Sequence, residues 1–214
     1  MPDNSKFRWF FLAPIVVALL VVASPASAER TALPHPYLGD LEEFQTLVRL
    51  MPNNAEAHNH LGFAYKILGR YKEAIASYKE ALRIDPNYAL AHRNLGDAYG
   101  ELDQYQEAIA SYKEALRIKP NDVSAHNGLG NTYNNLGQYK EAIASYKEAL
   151  RLGNYFTTHQ GLGNTYTELG QYKEAIASYK EALSINPNNT TVRNLLNNLE
   201  QKTAYGIENE LPTE

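Results

Sequence analysis

In the stretch YKEAIASYKEAL, apolar residues stand at Tyr71, Ala74, Ile75, Tyr78, Ala81 and Leu82. Their offsets are i, i+3, i+4, i+7, i+10 and i+11, which draw one apolar stripe along an α-helix. Lys72, Glu73, Lys79, Glu80 and Arg83 fall off the stripe, and Glu80 and Arg83 form a weak i,i+3 pair. The pattern predicts an amphipathic helix with one side buried. The same dozen residues recur at 105–116, with Gln106 in place of Lys72, and unchanged at 139–150 and 172–183. A partner helix precedes each copy: AEAHNHLGFAYKIL, ALAHRNLGDAYGEL, VSAHNGLGNTYNNL and FTTHQGLGNTYTEL. Gly69, Gly137 and Gly170 mark the turn between the two helices, where positive φ comes easily to glycine. Asp103 takes that place in the second unit, at a cost in strain. A unit of two short helices buries its stripes only against its neighbours, so the repetition is framework.

The period is fixed by several residue types at once. Leu-Gly pairs begin at 61, 95, 129 and 162, and Tyr65, Tyr99, Tyr133 and Tyr166 keep step with them. So do Ala74, Ala108, Ala142 and Ala175, then Tyr78, Tyr112, Tyr146 and Tyr179, then Ala81, Ala115, Ala149 and Ala182. Pro86, Pro120 and Pro187 close three of the four units. The chain resembles the tetratricopeptide repeat (TPR) family, whose unit runs Leu-Gly, Tyr, Ala, aromatic, Ala and Pro. It departs from the pattern in two ways. His58, His92, His126 and His159 stand where the family commonly has Trp, and RLGNYF in the third unit loses one residue and the closing proline. The resemblance implies an all-α fold, a TPR solenoid of stacked antiparallel helix pairs forming a right-handed superhelix with capping helices.

The four units are expected at 55–88, 89–122, 123–155 and 156–189, within 53–189. Residues 37–52 align with a second helix, Leu41 with Ile75 and Phe44 with Tyr78, and form a half-repeat. Val192, Leu195, Leu196 and Leu199 give 190–203 the stripe of a capping helix, with Asn194, Asn197 and Asn198 on its other side. Residues 29–36 read as a linker and 204–214 as an acidic, disordered tail. At the start, Lys6 and Arg8 precede an apolar run, Trp9–Val22, and then Ala26-Ser27-Ala28. This is a signal peptide, 1–28, with cleavage before Glu29; its apolar run is shorter than a membrane span. The expectation is an exported protein, periplasmic or secreted, or lumenal in the thylakoid of a photosynthetic bacterium. The alternative is an uncleaved N-terminal helix that holds an assembly factor or chaperone-like adaptor at the membrane.

Recognition belongs in what differs between units. Within the first helices the shared places centre on one side of the helical wheel, and the varying places on the other. The resemblance implies that this free side lines a concave groove holding partner peptides. The groove residues are then Asn59, Phe63, Arg93, Asn94, Asp97, Asn127, Asn131, Asn134, Gln160 and Asn164. Amide side chains both donate and accept, so a row of them bonds an extended backbone without selecting its side chains. Phe63, with Ile67, offers the apolar contact. Replacing Asn127, Asn131 and Asn164 by Ala is expected to weaken binding and leave melting nearly unchanged. The family's carboxylate clamp would fall on Asn59, Phe63, Asn94, Ser124 and Gly128; only Asn94 has the right type, so a chaperone-tail ligand is not expected.

Composition narrows the chemistry. A net charge of −4 offers no basic stripe for nucleic acid, and the absence of cysteine removes disulfides, thiolate metal sites and Cys nucleophiles. The four histidines lie on the framework side, which makes them packing residues rather than metal ligands. GLGN at 128–131 and 161–164 lacks the third glycine of a phosphate loop and lies within a helix. The chain has no His-Glu-x-x-His, no Gly-x-Ser-x-Gly and no calcium loop. The reading is a non-catalytic scaffold for a protein or peptide partner, with no cofactor, metal, nucleic acid or small-molecule substrate.

Overall fold

The structure, a computed structural model, describes residues 38–204. The expected signal peptide, the expected linker and the expected tail beyond Ala204 lie outside the described residues. Ten helices and no strand occur among those described. They are α1 (Leu38–Leu50), α2 (Ala55–Ile67), α3 (Tyr71–Ile84), α4 (Ala89–Gly100) and α5 (Tyr105–Ile118). Then follow α6 (Val123–Asn135), α7 (Tyr139–Leu152), α8 (Phe156–Glu168), α9 (Tyr172–Ile185) and α10 (Thr190–Ala204). The pairs α2/α3, α4/α5, α6/α7 and α8/α9 are the four units, and each second helix also packs on the next first helix. Among the described residues, those from Gly39 on form one compact body.

Each unit's core is a tyrosine against glycines. The Tyr146 ring is buried between Gly130 of its own unit and Gly161 of the next. A Cβ on either glycine would come 2.7 or 2.6 Å from that ring, so any side chain there would force the buried ring to shift. Ala142 and Ala149 are fully buried beside it, which lets the helix axes draw together. The turn between helices repeats as well. Gly69, Gly137 and Gly170 have φ of 69°, 71° and 69°, and Asp103 has φ 56°. In all four turns the next amide reaches back to the carbonyl of Tyr65, Tyr99, Tyr133 or Tyr166, closing the helix end.

The histidines join units. His58, His92 and His126 each place Nε2 3.0 Å from the carbonyl oxygen of Pro52, Pro86 or Pro120. A carbonyl oxygen only accepts, so Nε2–H donates and fixes the tautomer. Where the third unit loses its proline, the Asn154 amide oxygen takes over as acceptor for His159, at 2.5 Å. The last helix continues the series. Asn189 caps it by accepting from the Val192 amide, and Arg193, in the histidine's place, donates to the Pro187 carbonyl. Its buried Val192, Leu196 and Leu199 pack on Tyr179 and Ala182 of α9. At the other end Leu41, Phe44 and Val48 of α1 pack on Leu61 and Ala64 of α2.

First helices touch one another from unit to unit, α2 with α4, α4 with α6 and α6 with α8. No pair of consecutive second helices is in comparable contact among the described residues. The stack therefore curves with its first helices inward, and this presents the candidate site.

Candidate partner-binding face

A concavity of about 480 Å³ opens on the first-helix side. Its wall draws on four units: Lys66 from the first, Asp97 and Glu101 from the second, Asn127, Asn131 and Asn135 from the third, and Thr157 from the fourth. Tyr105 and Tyr112 of α5 close its floor. Three of the expected groove residues, Asp97, Asn127 and Asn131, thus share one hollow.

The wall is knit by hydrogen bonds that the wheel did not reveal. The Tyr112 hydroxyl donates to Asp97 Oδ1 at 2.8 Å. Fifteen residues before the next two core tyrosines stand Asn131 and Asn164, whose Oδ1 accept from Tyr146 at 2.6 Å and Tyr179 at 2.8 Å. At the first of these equivalent places a carboxylate can only accept, so the tyrosine is the donor throughout and the asparagines turn their oxygens inward. Their amide N–H groups are left for the outside. Burial pushes the Tyr78, Tyr112 and Tyr146 hydroxyls far above the usual phenol range, and the Asp97 charge adds to this at Tyr112.

The first unit breaks the series. Phe63 stands at the acceptor's place, and the Tyr78 hydroxyl is buried without a hydrogen-bond partner. Phe63 itself is 43% exposed, with Lys66 Nζ 5.7 Å from its ring centroid.

Bonds between units account for most of the remaining groove residues. Asn94 Nδ2 donates to Asn59 Oδ1 at 3.0 Å, and these two side chains are only 5% and 2% exposed. The expectation that both face a partner is therefore corrected: they belong to the seam between α2 and α4. Arg93 bonds the buried Asp122, which also caps α6 through the Ala125 amide. Lys66 donates to Asp97 at 2.8 Å. Thr158 donates to Asn127 and Thr165 to Asn134, each at 2.8 Å. Thr158 and Thr165 stand where Ala57 and Ala64 stand in the first unit and add cross-links there, whereas Thr132, also in the place of Ala64, bonds the Gly128 carbonyl of its own helix. Gln160 is half-buried, and Asn131 and Asn164 are exposed. The dispensability of Asn127, Asn131 and Asn164 is also corrected, because each holds a framework hydroxyl.

These partners stay hidden in the sequence as long as the tyrosines count as packing alone. A signal was present: Asp97, Asn131 and Asn164 all precede a tyrosine by the same interval. Among the described residues, no group of three or more His, Cys, Asp or Glu side chains could hold a metal ion.

Comparisons with known proteins agree with this architecture. A TPR repeat model matches residues 64–103 and 96–137, and a tetratricopeptide repeat model matches 121–188, together more than half of the chain. No curated protein sequence matches. The fold is similar to the crystal structure of MamA, at 26% identity and a TM-score of 0.65 over 72% of this chain and 91% of that one. It is also similar to TTC0263, a thermophilic TPR protein in Thermus thermophilus. There the identity is 24% and the TM-score 0.66 over 88% of this chain and 96% of that one, a likeness of fold alone. By its repeats, its helix pairs and these matches, the chain belongs to the tetratricopeptide repeat family.

Proposed function

We propose that the protein is a non-catalytic scaffold that holds an extended segment of a partner protein against its first-helix face. The observation that carries this is the concavity spanning four units, in whose wall the oxygens of Asn127 and Asn131 are already taken by a threonine and a tyrosine hydroxyl. Such a wall offers N–H donors in a row, which suit the carbonyls of an extended backbone. Lys66 and Asn127 are held by partners from the next unit and Asp97 by Lys66 and Tyr112, so the wall is preformed and little ordering is left to binding.

A photo-reactive residue placed at the exposed Asn135 of the full chain tests the reading in extract from the native host. It should crosslink a partner that the same residue at the exposed Lys147, on the outer side of α7, does not reach. Crosslinking from Lys147 alone would place the partner on the outer face and overturn the reading. Export is part of the proposal, with cleavage before Glu29. Intact mass of the native protein tests it, and a membrane-bound species retaining residues 1–28 would favour the tethered adaptor instead.

A further inference from the structure

We propose that Phe63 is the anchor of this face: it receives an apolar side chain of the bound segment, which also carries a basic residue toward Glu101. The inference rests on the groove reading and names the partner's chemistry. Three observations carry it. In the second, third and fourth units the place of Phe63 is taken by Asp97, Asn131 or Asn164, and each accepts the core tyrosine's hydroxyl. Duplication of any of these units would supply the acceptor again. The first unit instead leaves Tyr78, fully buried, with its hydroxyl unsatisfied, and gives the position to an exposed aromatic ring. A buried unpaired hydroxyl is a standing cost to the fold, and local departures that weaken a fold collect where function needs them.

The second observation is what surrounds the ring. Lys66, which lines the hollow, lies over the Phe63 ring with its ammonium already bonded to Asp97. Phe63 therefore offers an exposed aromatic ring beside a neutralised pair, at the margin of the hollow that Lys66 and Asp97 line. The third is charge. With Lys66 and Asp97 cancelling, Glu101 is the remaining acid that lines the hollow, exposed, beside the Tyr71 hydroxyl and in none of the described ion pairs. The chain's net charge of −4 has the same sign. An acidic wall next to an aromatic anchor selects a segment with one apolar and one basic side chain.

The probe is a set of labelled Gly-Ser peptides carrying one Leu and one Arg at graded spacings, with Leu→Ser and Arg→Glu versions as controls. Binding is read by fluorescence anisotropy on the full chain. One spacing should bind, and each control should lose about tenfold or more. Phe63→Asn should lose the peptide to the same degree while its melting temperature rises by a few degrees, because Asn supplies Tyr78 with its acceptor. Phe63→Leu should keep most of the binding and gain no stability. Opposite movement of affinity and melting in Phe63→Asn separates an anchor from a purely structural residue. If Phe63→Asn binds as well as the unchanged chain, the anchor is refuted and the groove reading stands on the Asn135 crosslink. If no peptide binds, or the Arg→Glu version binds as tightly, the proposed partner chemistry is wrong. Loss of peptide binding on substituting Lys147 but not Phe63 would overturn both proposals.

Discussion

Asn131 serves the fold with its oxygen and offers its N–H groups outward, and this division makes a prediction at the scale of one residue. Asn131→Ala removes the acceptor of the Tyr146 hydroxyl in a buried site and leaves it only the Thr165 hydroxyl, at a cost of about 1–3 kcal/mol. Tyr146→Phe removes the same bond but leaves the exposed asparagine to water, at a cost nearer 1 kcal/mol or below. Chemical denaturation of both variants checks the order; equal costs, or a milder Asn131→Ala, would contradict the hydrogen-bond assignment. At this scale little was legible in sequence. Helical periodicity places Asn59 and Asn94 on the varying side of the wheel, yet α2 and α4 approach closely enough there to bury both. Variation between units marks a seam as readily as a surface, and only the contact between neighbouring helices separates the two.

At the scale of an element, the turns and the latches carry the predictions. The strain foreseen at Asp103 is present, at φ 56°, while the other three turns use glycine. Asp103→Gly should stabilise the protein by about 0.5–1 kcal/mol, the relief of a left-handed residue less the entropy that glycine adds to the unfolded chain. An unchanged or lower melting temperature would mean that the bond from the Tyr105 hydroxyl to Asp103 outweighs the strain.

The latch at His159 is sensitive to pH. Burial lowers its pKa below the usual value of about 6.5, against a smaller opposing pull from Glu181. Protonation is then harder in the folded state than in the unfolded one. Its contribution is complete above the unfolded value and is lost as pH falls from there through the lowered folded value. The denaturation midpoint should fall as pH drops below about 6.5, and His159→Gln should flatten that slope. Glu73, Glu80, Glu114 and Glu148, held low by their arginine partners, titrate below this window. A slope that His159→Gln leaves unchanged would assign the effect elsewhere. The helices themselves were plain in the sequence, because stripe, turn glycine and closing proline agree in most units. The third unit shows the reverse case: a lost proline hides the way Asn154 replaces its carbonyl.

For the whole molecule, stability rests on neighbours. Ending the chain at Asn189 removes α10 and uncovers Tyr179 and Ala182 of α9. Val192, Leu196 and Leu199 lose their burial, roughly 1 kcal/mol or more for each side chain, so the loss should be several kcal/mol. An unchanged melting temperature would show that α10 does not complete the stack. The solenoid was legible because a fixed period admits few folds. The curvature and its hollow were not, since they depend on how closely successive first helices approach, a property of pairs that no single unit encodes.

The central claim is that the partner lies on the first-helix face, and hydroxyl-radical footprinting of the full chain reads it directly. Side-chain labelling is compared for the protein alone and for its complex with the partner identified by the Asn135 crosslink. Tyr105, which lines the hollow, and Phe63, beside the Lys66 that lines it, should be protected by the partner, while the exposed Met51 and Ile185 keep their reactivity. Protection of Ile185 and of the outer sides of α5 and α7, with Phe63 and Tyr105 still reactive, would contradict the claim.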